Sequence, residues 1–246
     1  MNPLAARNHR ELERLARGRA LLAFDYDGVL APLVRDPHGA AMHPSTKRLL
    51  RRVARSWPVA VISGRAWKDT VRLSEGLAPI VVGNHGFELG HAKPVPRKVL
   101  AEVQAWKRAL QAELDGEPVY FEDKRSTLAV HYGLERRWRA VEQAVHAAAG
   151  RLRGARLVRG KKVLNVLPAE FPDKGDAVVA LLARLRLDVA LYVGDDVTDE
   201  DAFRVGPPRV FGVRVGPGRT LAPWRLPSQG DVDALLERLA TLRAGR

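Results

Sequence analysis

The 246-residue chain contains no cysteine, which excludes disulfides, thiolate metal sites and a cysteine nucleophile. Any metal must be held by oxygen or imidazole. The sequence also lacks anything near the roughly 20 consecutive apolar residues that a membrane-spanning helix needs. Its opening, MNPLAARNHRELERLARGR, has no apolar segment of the kind that precedes a cleavage site. The expectation is a soluble, untargeted, cytoplasmic protein with no membrane partner. Acidic residues are in short supply, 28 against 41 basic ones, for a formal net charge of +13. Apolar residues are plentiful at 46%, enough to bury a full core in one large domain or in a domain with a substantial insertion.

The distribution of the excess charge matters more than its total. Basic residues fall in RELERLARGR, TKRLLRRVAR, ERRWRA and RLRGAR, beside Ala, Leu or Glu, with no long single-sign block and no interleaved aromatic repeat. That pattern describes solvated helix faces and no nucleic-acid partner, with a polyanion-binding surface as the alternative.

One unit recurs along the chain: a short branched apolar run, a cluster of Gly, Ser or Asp, then an amphipathic stretch. The runs are ALLAFDYDG at 20–28, PVAVISGR at 58–65, PIVVGNHG at 79–86 and DVALYVGDD at 188–196. Continuous apolar runs mark strands covered on both faces, as in a parallel sheet. The intervening STKRLLRRVAR, AWKDTVRLSEGL and DKGDAVVALLARLRL read as helices, so the core is a doubly wound α/β sheet. RVFGVRVG adds a further strand and DVDALLERLATLR a closing helix. From 87 to 165 the rhythm changes to helix, two partly alternating strands, helix and a hairpin-like pair, which describes an inserted α+β module. The expected division is a core of 1–86 and 166–246 with an insertion of 87–165.

In a doubly wound sheet ligands bind beyond the carboxyl ends of the strands, which is where Asp25, Asp27, Ser63 and Asp195 fall. Asp25 and Asp27 lie on the same side of an extended segment, where unneutralised carboxylates raise one another's pKa. A hard cation between them relieves the repulsion, and Gly28 lets the chain turn. GDDVTDEDAF at 194–203 brings a second acidic group to the same edge, and two such groups describe a Mg²⁺ site. Helix capping is the alternative for this segment, but it leaves Asp195, directly after the buried run, unexplained. Ser63 is either an anion-binding hydroxyl or part of a plain turn. Lys174 begins a helix, where a cation opposes the macrodipole, so a local stability argument does not place it there.

DYDG, SGR, a lysine before GDAV, and GDD together resemble the four motifs of the haloacid dehalogenase superfamily. More closely, GNHGFEL at 83–89, EDKRSTLAVHY at 122–132 and GDDVTDEDAF are similar to the trehalose-6-phosphate phosphatases within it. The resemblance covers about residues 21–203. It implies that Asp25 is the nucleophile and Asp27 the acid/base, with Mg²⁺ held by Asp25, the carbonyl of Asp27 and Asp195. It implies that Ser63, Gly64 and Lys174 hold the phosphoryl group, while Asp196 and Asp199 position Lys174 or the metal waters. For the phosphosugar substrate it implies contacts from His85, Glu122, Lys124, His131 and Asn165. Glu122 and Lys124 have a second reading as solvated edge-strand charges, and His131 as a structural histidine. The insertion becomes a mobile cap that selects the substrate, with hinges near 86–90 and 165–168. Two positions depart from the pattern: Val29 stands where the superfamily commonly has threonine, and Asn165 where trehalose-6-phosphate phosphatases usually have glutamate. Asn165 keeps other glycosyl phosphates open as substrates. A chain of this length has no room for a fused synthase, which leaves open a partner synthase encoded as a separate protein.

Overall fold

The computed structural model describes residues 1–4, 9–34, 39–92, 94–132, 138–160 and 162–244. Residues 133–137, expected to end a strand and begin a helix, and Lys161, expected to begin another strand, lie outside this set. The chain divides into two units, Met1–Ala92 with Pro172–Arg246, and Lys93–Phe171.

The first unit opens with α1 (His9–Arg17), β1 (Ala20–Phe24), α2 (Pro44–Ala54), β2 (Val59–Ile62), α3 (Trp67–Ser74), β3 (Ile80–Gly83) and β4 (Glu88–Leu89). The second unit follows with α4 (Arg97–Glu113), β5 (Tyr120–Asp123), β6 (Leu128–His131), α5 (Trp138–Ala149), β7 (Ala155–Gly160) and β8 (Val163–Pro168). The first unit then resumes with α6 (Lys174–Leu185), β9 (Val189–Gly194), α7 (Glu200–Val205), β10 (Val210–Val215), β11 (Trp224–Leu226) and α8 (Asp231–Ala244).

Seven strands of the first unit form one sheet in the order β11-β10-β9-β1-β2-β3-β4. All neighbours are parallel except β3 and β4. The continuous apolar runs are explained by cover on both faces. Leu22 and Phe24 of β1 pack with residues of α1, α2, α3 and α8. Leu21 and Ala23 pack with Ala177, Val178, Leu181 and Leu182 of α6 and Phe203 of α7. The pleat sends alternate residues to opposite faces, so Asp25, next in phase after Leu21 and Ala23, points to the α6 side.

The second unit is a four-stranded antiparallel sheet, β5-β6-β8-β7. Leu128, Val130, Leu164 and Val166 meet Val103, Trp106 and Leu110 of α4 and Val141 and Val145 of α5. One helix-covered face accounts for the partial alternation in these strands. The division differs from the expected 87–165 by six residues at each end. Two-residue β4 pairs back on β3 through Val82–Leu89 and Gly83–Glu88, keeping 87–92 with the core. At the other end β8 runs to Pro168 beside β7, keeping 166–171 with the insertion. No described helix is long and apolar enough to cross a membrane.

Candidate active site

Strand register assembles the site. Phe24 is level with Val61 on one side and Val193 on the other, so Asp25, Ser63 and Asp195 emerge just past the ends of three adjacent strands. Asp25 is 5% exposed and accepts from Lys174 Nζ at Oδ2, 2.9 Å away, and from the Tyr26 N–H at Oδ1, 2.7 Å away. Lys174, 1% exposed, donates also to Asp199 Oδ1 at 2.7 Å. The helix that carries it is capped by Asp173, which accepts from the Asp176 N–H. A cation in the first turn of α6 is therefore held by two carboxylates that outweigh the helix dipole.

Asp199 is the hub of this network. Its Oδ1 accepts from Lys174 and from the Tyr192 hydroxyl at 2.7 Å, and its Oδ2 from the backbone N–H groups of Asp195 and Asp196, both at 2.8 Å. Asp196 turns its carbonyl to Arg214 Nη1 at 2.8 Å. Burial sets the electrostatics. Desolvation pushes the Asp25 carboxyl well above the usual aspartate range even though Lys174 pulls it down. Asp195 is pushed up to about 7, by burial first and then by Asp199 and Asp196. For Lys174 the burial works against the charge, yet Asp199 and Asp25 more than compensate, and its pKa lies above the usual lysine value.

Asp27 has a different partner. Arg65 grips it with two hydrogen bonds of 2.6 Å, Nε to Oδ2 and Nη2 to Oδ1. The two neighbouring acids are thus divided between two cations, Lys174 for Asp25 and Arg65 for Asp27. The turn after β2 is tied to the turn after β3: Asn84 N–H donates to the Arg65 carbonyl at 2.6 Å, and His85 N–H to that of Ser63 at 3.0 Å. Glu88 Oε2 accepts from Trp67 N–H and from Asn84 Nδ2, so part of GNHGFEL serves as scaffold. Ser63 Oγ accepts from the Arg65 N–H at 3.2 Å. Gly64 is required by close approach, since a Cβ there would strike the His85 ring.

A divalent cation fits the core site. Carboxylate oxygens of Asp25, Asp195 and Asp199 lie within 4.8 Å of one another, and an all-oxygen donor set suits a hard cation. Asp199 already accepts four hydrogen bonds, so Asp25 and Asp195 are the two of the three that could hold such a cation. Gly28 adopts φ +75°, and a Cβ on it would run into the Asp195 carboxylate. The Asp27–Gly28 backbone therefore borders the same oxygens.

In the second unit, Glu122 Oε2 and His131 Nε2 are 3.0 Å apart and Lys124 Nζ is 3.8 Å from Glu122 Oε1. Register puts Glu122, Ala129, Asn165 and Val158 in one row across the sheet, on the face opposite the strand residues that meet α4 and α5. Asn165 Nδ2 points to the Val158 carbonyl at 3.5 Å.

Sequence reasoning missed three contributors. Arg65 was visible in SGR but given no partner, Tyr192 is the lone hydroxyl in an aliphatic strand, and Glu88 sits in GNHGFEL. Tyr192, two residues before Gly194 and so on the same strand face, carried a readable signal; the partner of Arg65 lies 38 residues away and one of Glu88's two partners, Trp67, 21.

This doubly wound sheet, with an aspartate just past its central strand, a lysine from a following helix and a second acidic turn beside it, has the fold of a haloacid dehalogenase-like hydrolase. The C-terminal domain of Candida albicans trehalose-6-phosphate phosphatase superposes with a TM-score of 0.78 over 96% of this chain and 97% of that one, at 23% identity. The trehalose-phosphatase family model matches residues 23–220, and the chain belongs to that family. It is 32% identical over 222 residues to the rice (Oryza sativa subsp. japonica) "Probable trehalose-phosphate phosphatase 4", covering 83% of this chain and 60% of that protein. It is 34% identical over 234 residues to the "Bifunctional trehalose-6-phosphate synthase/phosphatase" of Thermoproteus tenax, covering 90% of this chain and 32% of that one. The chain thus spans less than two thirds of the length of both.

Proposed function

We propose that this chain is a Mg²⁺-dependent phosphatase that hydrolyses trehalose 6-phosphate to trehalose and inorganic phosphate. The observation that carries the reading is Asp25, buried just past the central strand with Lys174 at 2.9 Å and Asp27 two residues on. Asp25 attacks phosphorus through a carboxylate oxygen, the bond from phosphorus to the sugar oxygen breaks, and Asp27 gives that oxygen its proton. Asp27 then takes a proton from water, whose oxygen attacks the aspartyl-phosphate, releasing phosphate and restoring Asp25. Lys174, Ser63 and the Gly64 backbone hold the phosphoryl oxygens, with Asp199 holding Lys174 in place and Asp196 bracing the same turn. Mg²⁺, held by Asp25, Asp195 and the carbonyl of Asp27, supplies charge neutralisation and alignment when bound.

Residues 93–171 act as a substrate-selecting cap. His85, Glu122, Lys124, His131 and Asn165 recognise sugar hydroxyls, whose hydrogen-bond pattern discriminates strongly between sugars. A second reading, another glycosyl phosphate such as a glucosyl- or mannosyl-glycerate phosphate, is favoured by Asn165 in place of the expected glutamate. The reaction belongs in the cytoplasm, supplied by a separate synthase; the two activities named together in the Thermoproteus tenax relative support that link.

The test is phosphate release from a panel of phosphosugars with and without Mg²⁺. Selective, Mg²⁺-dependent turnover of trehalose 6-phosphate is expected. Turnover of a different glycosyl phosphate would keep the mechanism and move the specificity, and no turnover of any would overturn the reading.

A further inference from the structure

Arg65 donates from Nε to Asp27 Oδ2 and from Nη2 to Asp27 Oδ1, both at 2.6 Å. A fork of this kind fixes both the plane and the direction of a carboxylate, which a single ammonium cannot do. The fork is itself anchored. The Arg65 N–H donates to Ser63 Oγ, its carbonyl accepts from Asn84, and its guanidinium carbon lies 5.9 Å from the centre of the Tyr26 ring. Asp27 meanwhile stands on a turn, Tyr26 to Ala31, whose backbone bonds leave its side chain without a strand to orient it. Each oxygen of Asp27 accepts one of the two bonds and keeps a second lone-pair direction for a leaving oxygen.

We propose that Arg65 is the positioning residue of Asp27: its fork holds both carboxylate oxygens in one plane and so aims their remaining lone-pair directions at the leaving-group oxygen. The inference rests on the reading of Asp27 as the acid/base. It assigns the turn after β2 two separate duties, with Ser63 on the phosphoryl side and Arg65 on the leaving-group side.

Two substrates separate this role from others. p-Nitrophenyl phosphate releases a nitrophenolate that needs no proton, whereas a sugar alkoxide must be protonated as it departs. For Arg65→Ala, kcat/KM for p-nitrophenyl phosphate is expected to stay within about twofold of wild type, while kcat/KM for the sugar phosphate falls by at least about tenfold. Arg65→Lys, which keeps the charge without the fork, is expected to show the same split, and an unfolded or weakened protein would lose both activities together. Asp27→Asn should give a larger split, and adding Arg65→Ala to it should cost nothing further. Equal losses on both substrates would make Arg65 a phosphate ligand, no loss on either a bystander, and additive losses with Asp27→Asn a direct sugar contact. Each of these overturns the proposal. If Asp27→Asn alone shows no split, the acid/base reading itself is what fails, and wild-type turnover of the panel tests the substrate reading independently of Arg65.

Discussion

The two units each gather carboxylates and cations, and they treat them differently. In the first, Lys174 and Asp199 side chains are 1% and 0% exposed and every oxygen of Asp199 is occupied. In the second, Glu122 is 41% exposed and meets His131 at 3.0 Å and Lys124 at 3.8 Å. Charges in the first group are interdependent, because desolvation makes an unpaired member costly. Glu122 in the second keeps contact with water, while Lys124 beside it is 15% exposed. The first arrangement is rigid electrostatics fixed in advance, whereas Glu122 and His131 in the second, at 41% and 32% exposure, can adjust.

The sharpest break in this comparison is Asp25→Asn, which leaves Lys174 paired with Asp199 and so should still fold. Turnover is expected to fall by at least about a thousandfold, with no trapped phosphoenzyme in acid-quenched reactions. Lys174→Met attacks the same group through stability: it strands Asp25 and Asp199 and should cost about 3–5 kcal/mol in urea unfolding. The matching change in the second unit, Lys124→Met, should cost no more than about 1 kcal/mol. Equal costs would erase the distinction drawn here. Glu122→Gln is expected to raise KM for trehalose 6-phosphate about tenfold while kcat/KM for p-nitrophenyl phosphate holds, as measured by steady-state phosphate release.

The smallest effect is a pH-dependent shift. Asp195 has a pKa of about 7 in the folded chain, against about 3.9 when unfolded. The metal-free folded state therefore holds the extra proton across that window, and its stability declines as pH rises through it. A cation that binds the ionised carboxylate offsets the loss, so the rise in Tm on adding MgCl₂ should be larger at about pH 8 than at about pH 5. The same rise at both would remove Asp195 from the metal site.

Much of the core was legible because β1, β2, β3 and β9 are covered on both faces and read as continuous apolar runs. Glu88–Leu89 and Trp224–Leu226 are too short to leave a pattern, and overlooking the first of them moved the domain boundary by six residues. Asp25, Lys174 and Asp195 stood out because each violates a local rule, an acid after a buried run or a cation at a helix start. Arg65 violates none: arginine in a turn is ordinary, and only the fold reveals that its fork lands on Asp27.

The central position of β1 has a further consequence for the order in which the protein is made. β2 follows β1 closely in the chain, but the other neighbour of β1, β9, begins only at Val189. Until then one edge of a fully apolar strand is unpaired, a template for wrong partners in a nascent chain. Lys174 and Asp199 lie as far along, so Asp25 is without its cation until the 149 residues that separate it from Lys174 have been made. A product stalled before Lys174 therefore carries Asp25 unpaired beside an open strand edge, the combination that favours wrong pairing.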